Sequence, residues 1–149
     1  MLNVGQQLVN SDHVVRYVPP SRLARDENDR VVGFLFSAFQ VREGEPSLST
    51  SRLEHFSGDR SEKITKCIQV NRECLVVRPT SAFAIGKVGN LKMVGQRQVS
   101  GRAIKVVFSP TDCNPAHTSV EKLPRDEMEL LEQLATEVFS EIVLNSQVP

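Results

Sequence analysis

The strongest pattern in this 149-residue chain is an apolar stripe near its C-terminal end. It recurs at alternating steps of three and four residues in Met128, Leu131, Ala135, Val138 and Ile142. This spacing places the side chains on one face of an α-helix. Pro124 suits a first helical turn, and Asp126 and Glu127 follow where the helix dipole favours acids. The pattern predicts a long amphipathic C-terminal helix.

Several segments predict a sheet for this helix to cover. The run HVVRYV, residues 13–18, is β-rich and stops at two prolines. The run RAIKVVF, residues 102–108, alternates between two faces, and residues 34–41 read as a further strand. Residues 48–56 predict a strand or an irregular turn, and residues 74–94 predict two strands with turns between them.

A second helix is predicted in the middle of the chain. Asp59 is a suitable cap for residues 60–72, in which Ile64, Cys67 and Ile68 share one helical face. The fold class is therefore α+β: a single small mixed or antiparallel sheet packed against a mid-chain helix and the long C-terminal helix. Residues 1–11 are predicted to be a flexible arm, and residues 12–149 a single domain.

Charge and hydropathy exclude some partners. Eighteen basic residues balance eighteen acidic ones, so the strong positive field of a duplex DNA binder is absent. No apolar run approaches the roughly 20 residues of a membrane span, and the N-terminal residues lack the pattern of a signal peptide. We therefore expect a cytoplasmic protein without a membrane partner. The apolar content permits a homodimer.

The cysteines and histidines do not predict a metal site. Three cysteines in a chain without a secretion signal are expected to be reduced thiols. Cys113 and His117 form an isolated pair of metal-ligand types, and neither a Cys-x-x-Cys nor a His-x-x-x-His spacing occurs. We expect no metal, and no cofactor for the leading hypothesis.

His13, Arg16 and His117 are the first candidates for a site. Two histidines can act as base and acid in phosphodiester cleavage, and an arginine can hold phosphate with its fork of donors. However, residues three apart in a regular strand point to opposite faces, so His13 and Arg16 need a bulge to share a pocket. The alternative is a surface histidine and an ordinary ion-pair arginine.

The segment Asn114-Pro115-Ala116-His117 follows a predicted strand, and loops at strand ends commonly carry functional side chains. His117 then precedes a serine in a His-x-Ser arrangement, which is one half of the motif of two-histidine phosphoesterases. In the structural alternative, Asn-Pro begins a turn and the imidazole only bonds to backbone groups.

Two further motifs suggest other activities. Arg16, the Ser49-Thr50-Ser51 segment and Glu127-Met128-Glu129 occur in the order found in arginine-specific ADP-ribosyltransferases, which use NAD. Glu127 and Glu129 lie in a helical pattern here, whereas that family's acids lie on a loop. The Gly86–Gly89 spacing is similar to the backbone-clamping loop of KH domains, but its flanks favour a hairpin.

Three motifs resemble a family of small bacterial proteins without an established activity. They are His13-Val14-Val15-Arg16-Tyr17 with Pro20-Ser21, Leu48-Ser49 with Leu53-Glu54 and Phe56, and Asn114-Pro115-Ala116-His117. The resemblance runs from about His13 to the last predicted helix. It implies a site that includes His13, Arg16, Glu54 and His117. Positions 50–52 depart from the family pattern, as does Asn114, where members carry an acid.

Together these observations predict an enzyme or effector that acts on a nucleotide or an RNA phosphodiester. His13 and His117 would be the acid and base, and Arg16, Arg52, Glu54 and Asn114 would bind the substrate. The alternative is a non-catalytic interaction or regulatory subunit of a bacterial multi-gene system. A third hypothesis is an NAD-using enzyme similar to ADP-ribosyltransferases.

Overall fold

Six strands of this chain join in one sheet. The computed structural model describes residues 2–97 and 103–149. The strands are β1 (His13–Val18), β2 (Leu23–Arg25), β3 (Val31–Phe34), β4 (Ser47–Arg52), β5 (Ala82–Lys87), β6 (Lys105–Phe108), β7 (His117–Glu121) and β8 (Glu141–Leu144). The helices are α1 (Arg60–Cys74), α2 (Val88–Gln96) and α3 (Met128–Gln133). The sheet has the order β6-β7-β4-β1-β5-β8, and β2 and β3 form a separate hairpin.

The strands of the large sheet pair antiparallel, and they carry buried residues on both faces. Val14 belongs to one hydrophobic cluster, and Val15 belongs to a second cluster on the other side. A strand covered on both faces has no simple alternation of polar and apolar residues. This explains why the apolar residues of HVVRYV are contiguous. The α+β class and the antiparallel sheet are confirmed.

The larger cluster lies between the sheet and α2, α3 and the hairpin. Phe39 stacks on Phe139 at a ring-centroid distance of 4.4 Å, and Phe34 meets Phe39 edge-on. The smaller cluster lies under α1, where Cys67 and Ile68 are fully buried. The sheet therefore separates two layers of helix, and each of its faces supports different side chains.

Helix α1 begins as its sequence predicts. The Asp59 side chain accepts a hydrogen bond from the Glu62 backbone N–H at 2.9 Å, and the Glu62 side chain bonds back to the Asp59 N–H. This reciprocal capping satisfies two of the backbone donors that a helix start leaves open. The predicted helix and its buried face are confirmed.

The prediction of a long C-terminal helix is wrong. Helix α3 ends at Gln133, a π-helical turn continues from Leu134 to Val138, and the chain then enters β8. In β8, Ile142 pairs with Ala84 and Leu144 with Ala82. The apolar spacing fits a helix locally, but the β-branched residues at 142 and 143 complete the sheet beside β5, and that pairing decides the conformation.

Two other local predictions are also wrong. Only Phe34 of the predicted strand 34–41 is in a strand, because Phe36–Phe39 form a 3-10 turn. The predicted hairpin at Gly86 does not form, since β5 runs directly into α2. A Cβ at Gly86 would lie 3.0 Å from the Phe139 ring, so this glycine allows the π-helical turn to approach β5.

The N-terminal segment lies along the free edge of β6. The Gly5 N–H donates to the Phe108 carbonyl at 2.8 Å, and the Leu8 N–H donates to the Val106 carbonyl at 2.9 Å. The Leu8 side chain is buried in the larger cluster. Part of the segment expected to be an arm therefore extends the sheet.

A disulfide joins Cys74 at the end of α1 to Cys113 in the loop before β7. The expectation that all three cysteines are reduced is therefore wrong, because pairing depends on distance in space and not on the number of cysteines. Cys67 is free and buried, and burial raises its pKa to about 12. Within residues 2–97 and 103–149, no helix has the length and apolar content to cross a bilayer.

Candidate functional site

Arg16 extends from the middle of β1 into the interior. Its Nε donates to the Ala38 carbonyl at 3.1 Å, and its Nη1 donates to the Ser49 carbonyl at 2.9 Å. None of the ion pairs in the described part of the chain includes Arg16. The guanidinium is held by neutral backbone acceptors and has no carboxylate within ion-pair distance.

A cavity of about 470 Å³ opens at Arg16. Its charged lining contains four arginines, Arg16, Arg22, Arg42 and Arg125, and two acids, Glu43 and Asp126. None of these six groups takes part in an ion pair among the described residues. The lining therefore has an excess of positive charge that a bound anion would neutralise.

Hydrogen bonds fix the walls of this cavity to one another. The Gln40 side chain donates to the Arg125 carbonyl at 3.0 Å, and Arg125 donates to the Glu45 carbonyl at 3.4 Å. These contacts hold the loop before α3 against the loop before β4. Arg42 and Arg125 therefore reach the cavity from two different loops, and Arg16 reaches it from β1.

The environment of Arg16 disfavours an isolated charge. Burial lowers the pKa of Arg16 to about 10, nearby Arg42 lowers it further, and Glu45 raises it. A group with this pKa remains charged at neutral pH. Burying a charge without a counter-ion costs free energy, and a ligand anion would recover part of that cost.

A second cluster of polar groups surrounds His13 on the opposite face of the sheet. One oxygen of Glu54 accepts the His13 backbone N–H at 2.7 Å, and the other lies 2.8 Å from Nδ1. An ionised carboxylate can only accept hydrogen bonds, so Nδ1 carries the ring proton. Glu54 thus orients the imidazole, and in the neutral ring the lone pair lies on Nε2.

Basic and acidic groups flank this histidine. Arg60 of α1 bonds to both carboxylate oxygens of Glu141 in β8, and this hydrogen bond lowers the pKa of Glu141. Lys87 pairs directly with His13 across β1 and β5. Directly paired residues point to the same face of a sheet, so the Lys87 and His13 side chains emerge side by side.

Arg52 is occupied by a partner within the protein. Its Nε donates to Asp12 at 2.9 Å, and Nη2 donates to the other Asp12 oxygen at 3.3 Å. Asp12 is only 4% exposed. The Arg52 guanidinium, which we expected to bind phosphate, is therefore paired with a carboxylate of the protein itself.

The His117 N–H donates to the Asn114 carbonyl at 3.2 Å, but the two side chains have different partners. His117 Nδ1 lies 2.9 Å from the Ser109 carbonyl and 3.0 Å from the Ser109 hydroxyl. Asn114 donates to the Ser51 hydroxyl at 2.9 Å, which also accepts from Asn71 of α1 at 3.3 Å. The His117 imidazole therefore bonds to a backbone carbonyl, which is the contact expected if the ring has a structural role.

The structure does not bring the predicted site residues into one pocket. His13 and His117 share a face of the sheet with β4 between their strands, because Ser51 pairs with both Val15 and His117. Neither histidine lines the arginine cavity or a second cavity of about 270 Å³ beside α1. Arg16 lies on the other face, as the strand alternation predicts.

The residues that suggested an ADP-ribosyltransferase do not line one cavity either. Arg16 bonds to the backbone of Ser49, but residues 49–51 and the acids Glu127 and Glu129 do not line the arginine cavity. Glu127 occupies the N-cap position of α3 without a side-chain capping bond, and Glu129 lies in the first turn. Asp126 is the acid of this region that faces the cavity.

Sequence reasoning missed Arg22, Arg42 and Arg125. They lie in three separate loops, and no spacing in the sequence relates them. Their nearest signal is the REGEP segment, in which Arg42 and Glu43 lie between two predicted strands. For metals, the described residues contain no group of three or more histidine, cysteine or acidic side chains that could hold an ion.

Comparisons with models of protein families, with curated proteins and with solved structures find no match to this chain.

Proposed function

We propose that this chain binds the phosphate groups of a nucleotide, or of a similar small phosphate ester, in the arginine cavity. The observation that carries the proposal is the partly buried Arg16, which faces the cavity without a carboxylate within ion-pair distance. A guanidinium offers a planar fork of donors that matches phosphate oxygens. Arg42 and Arg125 would contact the same anion from the two walls.

Cavity size and charge support a ligand of this class. A volume of about 470 Å³ falls in the range of about 300–1,000 Å³ that is typical of small-molecule sites. The two acids in the lining, Glu43 and Asp126, can accept hydrogen bonds from sugar hydroxyls. What supports binding rather than cleavage is that neither His13 nor His117 lines the cavity.

Isothermal titration calorimetry tests this proposal with AMP, ADP, pyrophosphate and inorganic phosphate, and with uncharged adenosine as the control. We expect the phosphate compounds to bind and adenosine not to bind. A short RNA oligonucleotide in the same series tests whether a longer phosphodiester is accepted. Affinity should fall as salt rises, because the attraction is between charges.

Two cavity variants locate the binding. Arg16→Gln and Arg42→Gln should each weaken AMP binding by at least about tenfold, since a charge-assisted hydrogen bond contributes roughly 1.5–3 kcal/mol. Arg30→Gln is the matched control, because Arg30 is an exposed arginine paired with Asp26 away from the cavity. Unchanged AMP affinity in both cavity variants would contradict the proposal, as would the absence of binding by every phosphate compound.

A second candidate function is protein interaction, with a homodimer as its simplest form. Leu75 and Val76 follow α1 and are 46% and 88% exposed. Analytical ultracentrifugation of the wild type and of Val76→Ser tests this candidate. A dimer that the substitution weakens would support it, and a wild-type monomer at all concentrations would contradict the homodimer.

We also propose that the protein is cytoplasmic. The disulfide between Cys74 and Cys113 weighs against it, because structural disulfides are rare in reducing compartments. Mass spectrometry of thiols alkylated during cell lysis measures the state of this pair. A reduced pair in cells supports the cytoplasmic location.

A further inference from the structure

The His13–Glu54 pair forms a second site, independent of the arginine cavity. Both Glu54 oxygens bond to His13, one to its backbone and one to its ring, at 2.7 and 2.8 Å. The ring orientation and the position of its proton are therefore fixed by one carboxylate. Such an arrangement determines which nitrogen of a histidine is available for chemistry.

The available nitrogen is Nε2. Within the described residues, no hydrogen bond reaches Nε2, and the His13 side chain is 31% exposed. Lys87 emerges beside it from β5, and Arg60 lies near enough to Glu54 to interact with its charge. Because Arg60 is already paired with Glu141, it is Lys87 that can attract an anionic reagent to this lone pair.

We propose that His13 Nε2 is a nucleophile that accepts a phosphoryl group from a phosphoramidate or an acyl phosphate. The Nε2 lone pair attacks phosphorus, the P–N or P–O bond of the donor breaks, and the leaving group departs with the bond electrons. A phosphoramidate nitrogen takes a proton from water as it leaves. The proton on Nδ1 stays in place, so the modified ring carries a positive charge beside Glu54.

The surroundings of His13 favour this chemistry over catalysis on a bound substrate. Neither of the two cavities described above includes His13. An accessible nucleophile such as His13 Nε2 can react with a phosphoryl donor that collides with it from solution. The Glu54 carboxylate would compensate the ring charge, and Lys87 would attract the phosphoryl oxygens.

The other two histidines provide internal controls. His55 is the more exposed, packs on Phe56, and has no carboxylate bonded to its ring. Burial and nearby Arg52 lower the pKa of His55, which favours its neutral, nucleophilic ring. His117 has its Nδ1 against the Ser109 carbonyl, which is a neutral acceptor. Reaction governed by exposure alone would modify His55 first.

The experiment is phosphorylation of the folded protein by potassium phosphoramidate near neutral pH. Intact mass follows the extent of reaction, tandem mass spectrometry at alkaline pH locates it, and ³¹P NMR distinguishes Nε2 from Nδ1 products. We expect His13 to react at Nε2 at least about tenfold faster than His55 or His117, from the strength of a hydrogen bond to a carboxylate. Arg30→Gln, at an exposed arginine paired with Asp26, should leave this rate unchanged.

Glu54→Gln tests the role of the carboxylate charge. The glutamine amide has one acceptor oxygen, so it cannot accept from both the His13 backbone N–H and the Nδ1–H. The loss of one bond and of the charge compensation should slow His13 by about tenfold, toward the rate of His117. Circular dichroism checks that the variant is folded. If the variant does not fold, the relative phosphorylation rates of the three histidines in the wild type still test the proposal. Modification of His55 or His117 as fast as His13 would overturn the proposal, as would an unchanged rate in folded Glu54→Gln.

Discussion

Asp12 is a buried charge at the start of β1. It accepts two hydrogen bonds from Arg52 in β4, and its backbone carbonyl accepts one from Val88 at the start of α2. With only 4% of its surface exposed, it has little access to water. This residue therefore joins three elements at the end of the sheet that also carries His13.

Asp12→Asn should lower the free energy of unfolding by about 2–4 kcal/mol, because it leaves the Arg52 guanidinium without a counter-charge in a mostly buried place. Urea denaturation followed by circular dichroism measures the loss. The control is Asp29→Asn, which removes a carboxylate that is 87% exposed in a pair with Arg25. That change should stay within about 0.5 kcal/mol. Equal effects of the two substitutions would contradict the structural role of Asp12.

Single residues show where prediction from sequence succeeds. The alternation of a strand is enough to place His13 and Arg16 on opposite faces, and the structure does so. The alternation cannot predict their hydrogen-bond partners, because Glu54 is 41 positions from His13 and Ser49 is 33 positions from Arg16. The partner of Arg52 is equally remote, since Asp12 is 40 positions away.

At the scale of elements, Gly86 fixes how closely the π-helical turn approaches β5. An added Cβ would lie 3.0 Å from one atom of the Phe139 ring and 3.1 Å from a Val138 methyl carbon. Phe139 is itself stacked on Phe39 and is fully buried. The ring has little room to move away.

Gly86→Ala should destabilise the protein by about 1–3 kcal/mol, which is typical of overpacking in a core. Thermal denaturation measured by calorimetry provides the value. Gly33→Ala is the matched control in another strand, because a Cβ there meets nothing within 4 Å. It should leave stability unchanged or raise it by up to about 1 kcal/mol, through the lower entropy of the unfolded chain. If Gly86→Ala leaves the stability unchanged, the Phe139 and Val138 side chains can move aside, which would contradict this prediction.

Elements are predictable where one local signal dominates. Asp59 with Glu62 defines the start of α1, and the prolines after Val18 define the end of β1. The segment from Val138 to Leu144 carries an apolar pattern that a helix or a strand can satisfy. Its conformation depends on pairing with β5, more than 50 positions earlier in the chain.

At the scale of the whole molecule, the disulfide links α1 on one face of the sheet to the loop before β7. The two cysteines are separated by 39 positions. A cross-link of this span restricts the unfolded chain, which stabilises the folded state by up to about 4 kcal/mol in the chain-entropy model. The loop that it holds contains Asn114, which bonds to Ser51.

Reduction of the disulfide should therefore lower the midpoint of urea denaturation. The expected loss of stability is about 2–4 kcal/mol. The double variant Cys74→Ser with Cys113→Ser should unfold like the reduced wild type and should not respond to reductant. If reductant shifts the double variant as much as the wild type, the effect does not come from this pair.

The fold class follows from composition and from the mixture of strand and helix patterns. Strand order does not follow, because each neighbour in β6-β7-β4-β1-β5-β8 is fixed by contacts between distant segments. The arginine cavity is a property at this same scale. Arg16, Arg22, Arg42 and Arg125 come together only when the sheet and three loops are in place.

Strand β1 serves two surfaces at once. Arg16 faces the cavity on one side, and His13, three residues earlier, faces Glu54 on the other. A shift of one residue in a strand sends every side chain to the opposite face. An insertion or deletion between His13 and Arg16 would therefore misdirect one of these two side chains, whatever the inserted residue was. Evolution can exchange side chains in this strand one by one, but its length is constrained from both sides.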